Sequence, residues 1–522
     1  MTKHIHIAGA SLTEFQIIVR SNTHAELEAG TLLQKELRKT IGITLPVCIK
    51  AERTEKLILF TPTPDMPQDG LTIAVRNGNL HLYSDGKLTD ALYRFLTKWV
   101  GWRYLHVDAA ILKDGDVELP EGCTDHFVPP FEYRQLDWIC AQDPDWMRAN
   151  HVNYRDNKWI GFVHTLAGLS EFGDQTTQPC LSDPEILATV KKNVRKILTE
   201  HPDCRIISVS QNDNMNPCKC PKCLATDEEE GSPAGTLLRF VNAVADDIRE
   251  DYPHVAIETL AYQYTRKAPA ITRPRDNVIV RLCSIECCFS HDLGDASCAV
   301  NGAFIHDITE WSKICNRLYI WDYVTDFSYY IPPFPNFRVL RSNMEFFARH
   351  HVVGMYPEGN YQSNSGEFAE LRAYLLAQCM WNPYMTEEEY QAAIDDFCTG
   401  YYGAGGVYVK KFLDFVCDAT RGRHFNIWTP PFGIIPEEVY REHFAAIEGW
   451  WNAAEAAAEN DRYLERITKS RLQWTYVKLM LCPDPVEGEV FFRTVESLGI
   501  RWNEWRNFTA DPDFALSPVD WK

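Results

Sequence analysis

Acids, amides and aromatic side chains gather at a few short stretches of this chain. Ser208-Val209-Ser210-Gln211-Asn212-Asp213-Asn214 ends in amides around one acid, and Arg281-Leu282-Cys283-Ser284-Ile285-Glu286 ends in an acid beside apolar residues. Trp321-Asp322-Tyr323, Tyr262-Gln263-Tyr264 and Glu358 with Asn360 extend the pattern. Aromatic faces stack on the C–H faces of sugar rings, while acids and amides bind hydroxyls. Cleaving a glycosidic bond needs a proton donor and, opposite it, a nucleophile or a base for water. When the sugar carries an N-acetyl group, its own carbonyl oxygen can attack, and the protein then orients that amide. The donor must keep its proton at working pH, which an apolar surrounding favours. Glu286, between Ile285 and Cys287-Cys288-Phe289, is placed for that role. Asp213, among three amides, suits a charged, hydrogen-bonded partner.

Cys218-Lys219-Cys220-Pro221-Lys222-Cys223 has the CxCxxC spacing of a metal loop. A zinc site needs four ligands and no fourth is evident within the loop, so no metal and no cofactor are expected. A disulfide or a packing role fits the three cysteines as well. His164 is expected to meet a substrate hydroxyl. No GxGxxG, P-loop, HExxH or GxSxG occurs in a usable context.

The elements that must position these residues follow from periodicity. Residues 12–115 read as a small α/β unit with a strand at Phe15–Val19 and a helix from Ala25 to Thr40, closed by Gly42. Further strands fall at Leu57–Phe60, Leu71–Val75 and Leu80–Tyr83, with Asn77-Gly78 as a hairpin turn. From Phe131 onward short apolar strands alternate with polar loops and amphipathic helices. The strands are Tyr133–Trp138, Trp159–His164, Gln178–Leu181, Ile206–Ser210, Ala256–Ala261, Val278–Ser284, Leu318–Trp321 and Val352–Tyr356. Asp183-Pro184 opens a helix with Val190, Val194 and Leu198 on one stripe. Eight such strands predict a (β/α)8 TIM barrel, preceded by a small α+β domain and followed by a helical C-terminal region. The expected boundaries are 1–125, 126–385 and 386–522. In such a barrel the site lies at the C-terminal ends of the strands, where the acids, amides and aromatics converge. An isolated acid there could equally cap a helix or pair with an arginine, as Glu258 could with Arg281.

Composition narrows the class. Hydrophobic residues make up 45% and charged residues 24% of 522 residues, as in globular proteins and unlike disordered or coiled-coil chains. The net charge of −20 with no basic cluster argues against nucleic acid as a partner. The longest strongly apolar stretch, Ala373 to Trp381, is too short to span a bilayer, so no membrane partner is expected. The 17 cysteines, odd in number and often beside apolar residues, read as reduced and buried. With no apolar signal region in Met1-Thr2-Lys3-His4-Ile5-His6, a cytoplasmic location is expected, and a secreted one only had a leader been removed.

The quoted motifs resemble those of the domain-of-unknown-function family 4838, part of which is classified as glycoside hydrolase family 163, with endo-β-N-acetylglucosaminidase activity on complex N-glycans. The resemblance rests on Ile207–Asp213 with the CxCxxC, Ala261–Tyr264, Arg281–Cys287, Trp321–Thr325, Pro333–Asn336 and Ala373–Pro383. It covers roughly residues 130 to 405. The first hundred residues resemble the small domain that precedes the barrel in family 20 hexosaminidases and α-glucuronidases. The resemblance implies retaining, substrate-assisted cleavage of a GlcNAc-β-1,4-GlcNAc linkage in an oligosaccharide or glycan. It implies Glu286 as general acid and Asp213 as the amide-orienting carboxylate, the reverse assignment being equally allowed. It further implies Arg134 as the arginine on the outer hydroxyls of the −1 sugar. Asn212, Tyr262, Tyr264, Trp321, Asp322, Tyr323 and Glu358 complete the expected substrate-binding set with His164. An inverting exo-glycosidase of α-glucuronidase type, and a non-catalytic carbohydrate-binding barrel, are the alternatives. The oligomeric state is left open.

Overall fold

The structure, a computed structural model, describes residues 3–20, 23–156 and 158–505. The first unit is a six-stranded sheet in the order Thr124–Phe127, Leu71–Arg76, Asn79–Ser84, Leu57–Pro62, Gln16–Ile18 and Val47–Cys48. The helix His24–Ile41 packs on it and ends at Gly42, whose φ of 72° is the left-handed conformation that spares a Cβ. Asn77 and Gly78, at φ 52° and 69°, make the two-residue turn between Leu71–Arg76 and Asn79–Ser84. Both central residues need positive φ in such a turn, which is why this dipeptide announces it.

The second unit is a curled parallel sheet of seven strands: β1 (Tyr133–Arg134), β2 (Trp159–Ile160), β3 (Ile206–Ser208), β4 (Ala256–Ala261), β5 (Val278–Cys283), β6 (Leu318–Tyr323) and β7 (Val352–Glu358). Their order, β1-β7-β6-β5-β4-β3-β2, is that of a half-open barrel, since β1 and β2 share no ladder. The expected strand at Gln178–Leu181 is irregular backbone, and β2 pairs directly with β3. Pro179 interrupts that segment, and the Gln178 amide is bonded to the Asn212 main chain, so it cannot run as a ladder strand. The gap between β1 and β2 is filled by rings: Tyr133 lies 5.2 Å from Trp159 and stacks on Tyr319 at 5.5 Å.

Helices pack outside the strands. Asp183 caps α1 (Pro184–Glu200), which buries Val190, Val194 and Leu198, and β3 is followed by α2 (Pro221–Glu230) and α3 (Ala234–Ile248). No helix of four residues or more separates β4 from β5. Beyond β7, helices Ala369–Trp381, Glu387–Tyr402, Gly406–Ala419, Glu437–Ala456, Asp461–Leu481 and Pro485–Ser497 form the C-terminal region. Residues 498–505 leave the helices, and residues 506–522 of the expected helical tail lie outside the described residues. Among the described residues, no helix is long and apolar enough to cross a membrane.

Candidate functional site

An ion pair lies in the barrel's interior. Arg281 on β5 and Glu258 on β4 are both fully buried, with Nε to Oε1 at 2.8 Å. Ser208 Oγ donates to the other carboxylate oxygen at 2.6 Å, and Arg281 Nη2 donates to the Phe162 carbonyl at 2.7 Å. The Arg281 guanidinium sits 4.8, 4.3 and 4.5 Å from the Trp159, Phe162 and Trp321 ring centres. A buried charge is tolerable only when its partners are held in place, and this layer is packed to hold them.

At the C-terminal ends of the strands lies a cavity of about 490 Å3, lined by His164, Asp213, Tyr262, Trp321, Tyr323 and Glu358 from the expected set. Glu358 closes β7 with only 8% of its surface exposed. Trp321 Nε1 donates to its Oε2 at 2.8 Å. Burial pushes the Glu358 carboxyl up to about 8, more than that hydrogen bond pulls it down, and the nearby acids Asp137 and Glu504 add to the rise. Asp137, half-buried, is pushed up to about 6 by desolvation and accepts a 2.6 Å hydrogen bond from the Tyr356 hydroxyl. Asp213 is solvent-exposed and accepts a hydrogen bond from the Tyr262 hydroxyl at 3.0 Å. Burial, then Asp213, raises the Tyr262 phenol, so it stays a donor.

His164 stands in the left-handed region at φ 56°, uncommon for a side chain with a Cβ. Its amide donates to Ser210 Oγ at 2.9 Å, and its Nδ1 donates to the Gln211 carbonyl at 2.7 Å, which assigns the proton to Nδ1. Burial lowers its pKa, so the ring is neutral near pH 7. Gln263, also a lining residue, has φ 51°.

Other expected residues lie elsewhere. Asn212 is buried behind Asp213: its Oδ1 accepts from the Ala167 amide at 3.0 Å and its Nδ2 donates to the Thr177 carbonyl at 2.8 Å. Asp322 is buried, accepts from Ser284 Oγ at 2.7 Å and is pushed up to about 6 by burial. Tyr264 faces a separate crevice beside Cys218 and Cys223. Glu286 is exposed in the turn after β5, outside the cavity lining, and pairs with Arg266 at 2.8 Å. Arg134 is also outside the lining: it is buried, with Nη2 3.1 Å from Asp69 and Nε on the His151 carbonyl at 2.7 Å, so it ties the first unit to the barrel.

Among the lining residues outside the expected set are Trp428, Glu504 and Trp505. The segment carrying the last two is laid over the loops after β6 and β7. Tyr330 donates its amide to the Trp502 carbonyl at 2.9 Å, and Glu504 donates its own to the Phe327 carbonyl at 3.0 Å. Burial raises the Glu504 carboxyl, and Asp213 raises it further. The Trp-acid adjacency of Glu504-Trp505 is the signal used at Trp321-Asp322, and it would have found them. Two groups of Cys and His stand outside the cavity: Cys180, Cys218, Cys220, Cys223, and Cys288, His291, Cys298, His424.

Residues 110–414, more than half of the chain, match the family described as Domain of unknown function (DUF4838), and the chain belongs to that family. No curated protein matches it. Several solved structures are similar in shape. A family 89 glycoside hydrolase from Clostridium perfringens, in complex with 2-acetamido-1,2-dideoxynojirmycin, is 11% identical with a TM-score of 0.49, over 91% of this chain and 65% of that one. CpGH84B is 10% identical with a TM-score of 0.48, over 96% and 95%. A β-N-acetylhexosaminidase from Bacteroides fragilis is 12% identical with a TM-score of 0.40, over 76% and 90%. Likeness at these identities and TM-scores carries no activity or residue role over to this chain.

Proposed function

We propose that the chain is a glycoside hydrolase that cleaves a β-linked N-acetylglucosamine within N-glycan-type oligosaccharides, with Glu358 as the general acid. The observation that carries this reading is Glu358 itself: a buried carboxyl, pushed up to about 8, at the floor of an aromatic-walled cavity at the strand ends. Such a group holds its proton at neutral pH and can hand it to a departing sugar oxygen. The acid role goes to Glu358 over Glu286 because Glu286 is exposed and neutralised by Arg266. Asp213 supplies an acceptor for an acetamido N–H, the contact that orients the amide for the substrate's own carbonyl to attack, and the Tyr262 hydroxyl, which donates to Asp213 at 3.0 Å, holds that carboxylate in place. Trp321 and Tyr323, stacked at 6.0 Å, wall the cavity, and Trp428 and Trp505 extend it outward, as an oligosaccharide needs.

The α-glucuronidase reading is less well supported. A uronate needs a cation beside it, and none of the described lining residues is Lys or Arg. Arg281, beneath, is already paired with Glu258. The test is product mass spectrometry on a complex biantennary N-glycan, free and protein-linked. Wild type and Glu286→Gln are expected to release a glycan shortened by one GlcNAc, and Glu358→Gln is not. Release by Glu358→Gln but not by Glu286→Gln would return the acid role to Glu286. No release by wild type from either substrate would overturn the endo-acting reading.

A further inference from the structure

Cys180 comes from the loop before α1, some forty residues ahead of the CxCxxC loop, yet the fold brings all four thiols together, every sulfur within 4.8 Å of the others. Cys180 Sγ is 3.7 Å from Cys220 Sγ and 3.9 Å from Cys223 Sγ. Tetrahedral zinc with Zn–S bonds of about 2.3 Å places its sulfurs about 3.8 Å apart, the edge of that tetrahedron. A disulfide would need about 2.05 Å. Two of the sulfurs have further polar partners: the Cys223 amide donates to Cys220 Sγ at 3.4 Å, and Ser182 Oγ lies 3.1 Å from Cys223 Sγ. Cys220 is also the N-cap of α2, so the partly positive N-terminal end of that helix lies beside the cluster.

A second group is assembled independently from the loop after β5 and from the C-terminal region. Cys288 Sγ is 3.3 Å from His291 Nδ1, and Cys298 Sγ is 3.7 Å from His424 Nδ1. With Zn–N of about 2.05 Å and Zn–S of about 2.3 Å, tetrahedral geometry puts sulfur and nitrogen about 3.5 Å apart. The His291 and His424 rings lie 4.5 Å apart, and Asn301 pins the loop by accepting from the Cys288 amide at 2.8 Å and donating to the Cys288 carbonyl at 3.1 Å.

We propose that the chain holds two structural zinc ions, one on Cys180, Cys218, Cys220 and Cys223 and one on Cys288, His291, Cys298 and His424. Both sets are complete at four protein ligands, which leaves no open position for catalysis. Binding converts thiols to thiolates and releases their protons to solvent, with no change of oxidation state. Each ion would staple a loop that borders the cavity. The first joins the 174–183 segment, which grips Asn212, to the loop that follows Asp213. The second joins the loop after β5 to the irregular segment just ahead of Trp428, where the Phe289 amide donates to the Phe425 carbonyl. This inference stands apart from the proposed reaction.

The experiment is elemental analysis of the full-length protein, purified under reducing conditions without chelators or immobilised metal. About two zinc atoms per chain are expected in wild type, about one in Cys180→Ser and in His424→Ala, and none in the double variant. A wild-type value near zero overturns both sites. A single variant that leaves the count unchanged overturns its own site. Should a variant fail to fold, cobalt exchanged into wild type decides: the intense visible absorption of tetrahedral cobalt thiolate is expected, and weak octahedral-type absorption refutes the thiolate sites. Bound iron in place of zinc, seen as native visible colour, refutes the assignment of the metal.

Discussion

Replacing Glu358 by Gln separates the chemistry of the cavity from its stability. The amide keeps the carbonyl oxygen that Trp321 Nε1 bonds, and it has the carboxyl's shape, but it cannot give up a proton. Removal of a positioned proton donor lowers turnover by about 10²- to 10⁴-fold. The same change should stabilise the protein above mildly acidic pH. A carboxyl whose pKa rises on folding, here from 4.5 to about 8, binds its proton more tightly in the folded state than in the unfolded one. Stability from this group is therefore complete below 4.5 and falls as pH rises toward 8. At about 1.4 kcal/mol per pH unit, wild type loses roughly 3 kcal/mol by pH 7, and Gln loses none of it. For a chain this long unfolding as one unit, that is on the order of 3 °C in Tm. Melting curves of both proteins at pH 5 and pH 8, beside their turnover on the N-glycan, make the measurement. Wild-type turnover should fall as pH rises through about 8. A Gln variant with wild-type turnover, or with the same advantage in Tm at both pH values, refutes the reasoning.

Four further expectations follow from other parts of the molecule. Asp213→Asn should lower turnover by about 10²-fold or more through lost orientation of the acetamido group, and should weaken a thiazoline-type inhibitor in parallel, as inhibition kinetics would report. Arg281→Met leaves Glu258 buried without its cation and should cost about 3–5 kcal/mol in denaturant titrations, much of it recovered by adding Glu258→Met. Trp505→Ala, at a ring 63% exposed on the rim, should raise KM with little change in kcat. Loss of one stacking contact corresponds to about 2- to 10-fold. Glu230, 1% exposed, is lowered from 4.5 to about 2 because the hydrogen bonds from Thr272, Ile271 and Arg239 outweigh its burial. Its stabilisation, roughly 3 kcal/mol at neutral pH, is present above 4.5 and lost as pH falls toward 2, so Glu230→Gln should flatten the acid limb of an unfolding curve.

Local rules made much of the scaffold readable. Asn77-Gly78 and Gly42 mark positions where only positive φ completes the turn or cap, and Asp183-Pro184 opens α1 because both residues suit a helix start. The long apolar strands β4 to β7 were visible because they are buried on both faces. Gln178–Leu181 has the short apolar look of a strand, whereas the Gln178 side-chain amide is bonded to the Asn212 main chain and the segment is irregular. The cavity lining is legible where the strand ends set it, at Asp213, Tyr262, Trp321, Tyr323 and Glu358. Burial of an acid is less legible than its place at a strand end. Apolar neighbours in sequence suggested a buried Glu286, but a turn carries it to Arg266, while Glu358 is buried by residues distant along the chain. Cys180 and Glu504 belong to loops whose partners only the tertiary fold supplies, so no local spacing could pair them with Cys220 or Asp213.

The cavity has two parents. Its floor is made by strand ends of the barrel, whereas Trp428, Glu504 and Trp505 at its mouth come from a region that contributes nothing to the ladder. Inheritance can act on the two separately. Under the proposed function, changes in the outer segments would retune which flanking sugars are accepted while the groove at the strand ends stays as it was. Grafting the outer segments between members of the family would then transfer sugar preference as a module, with the strand ends left unchanged.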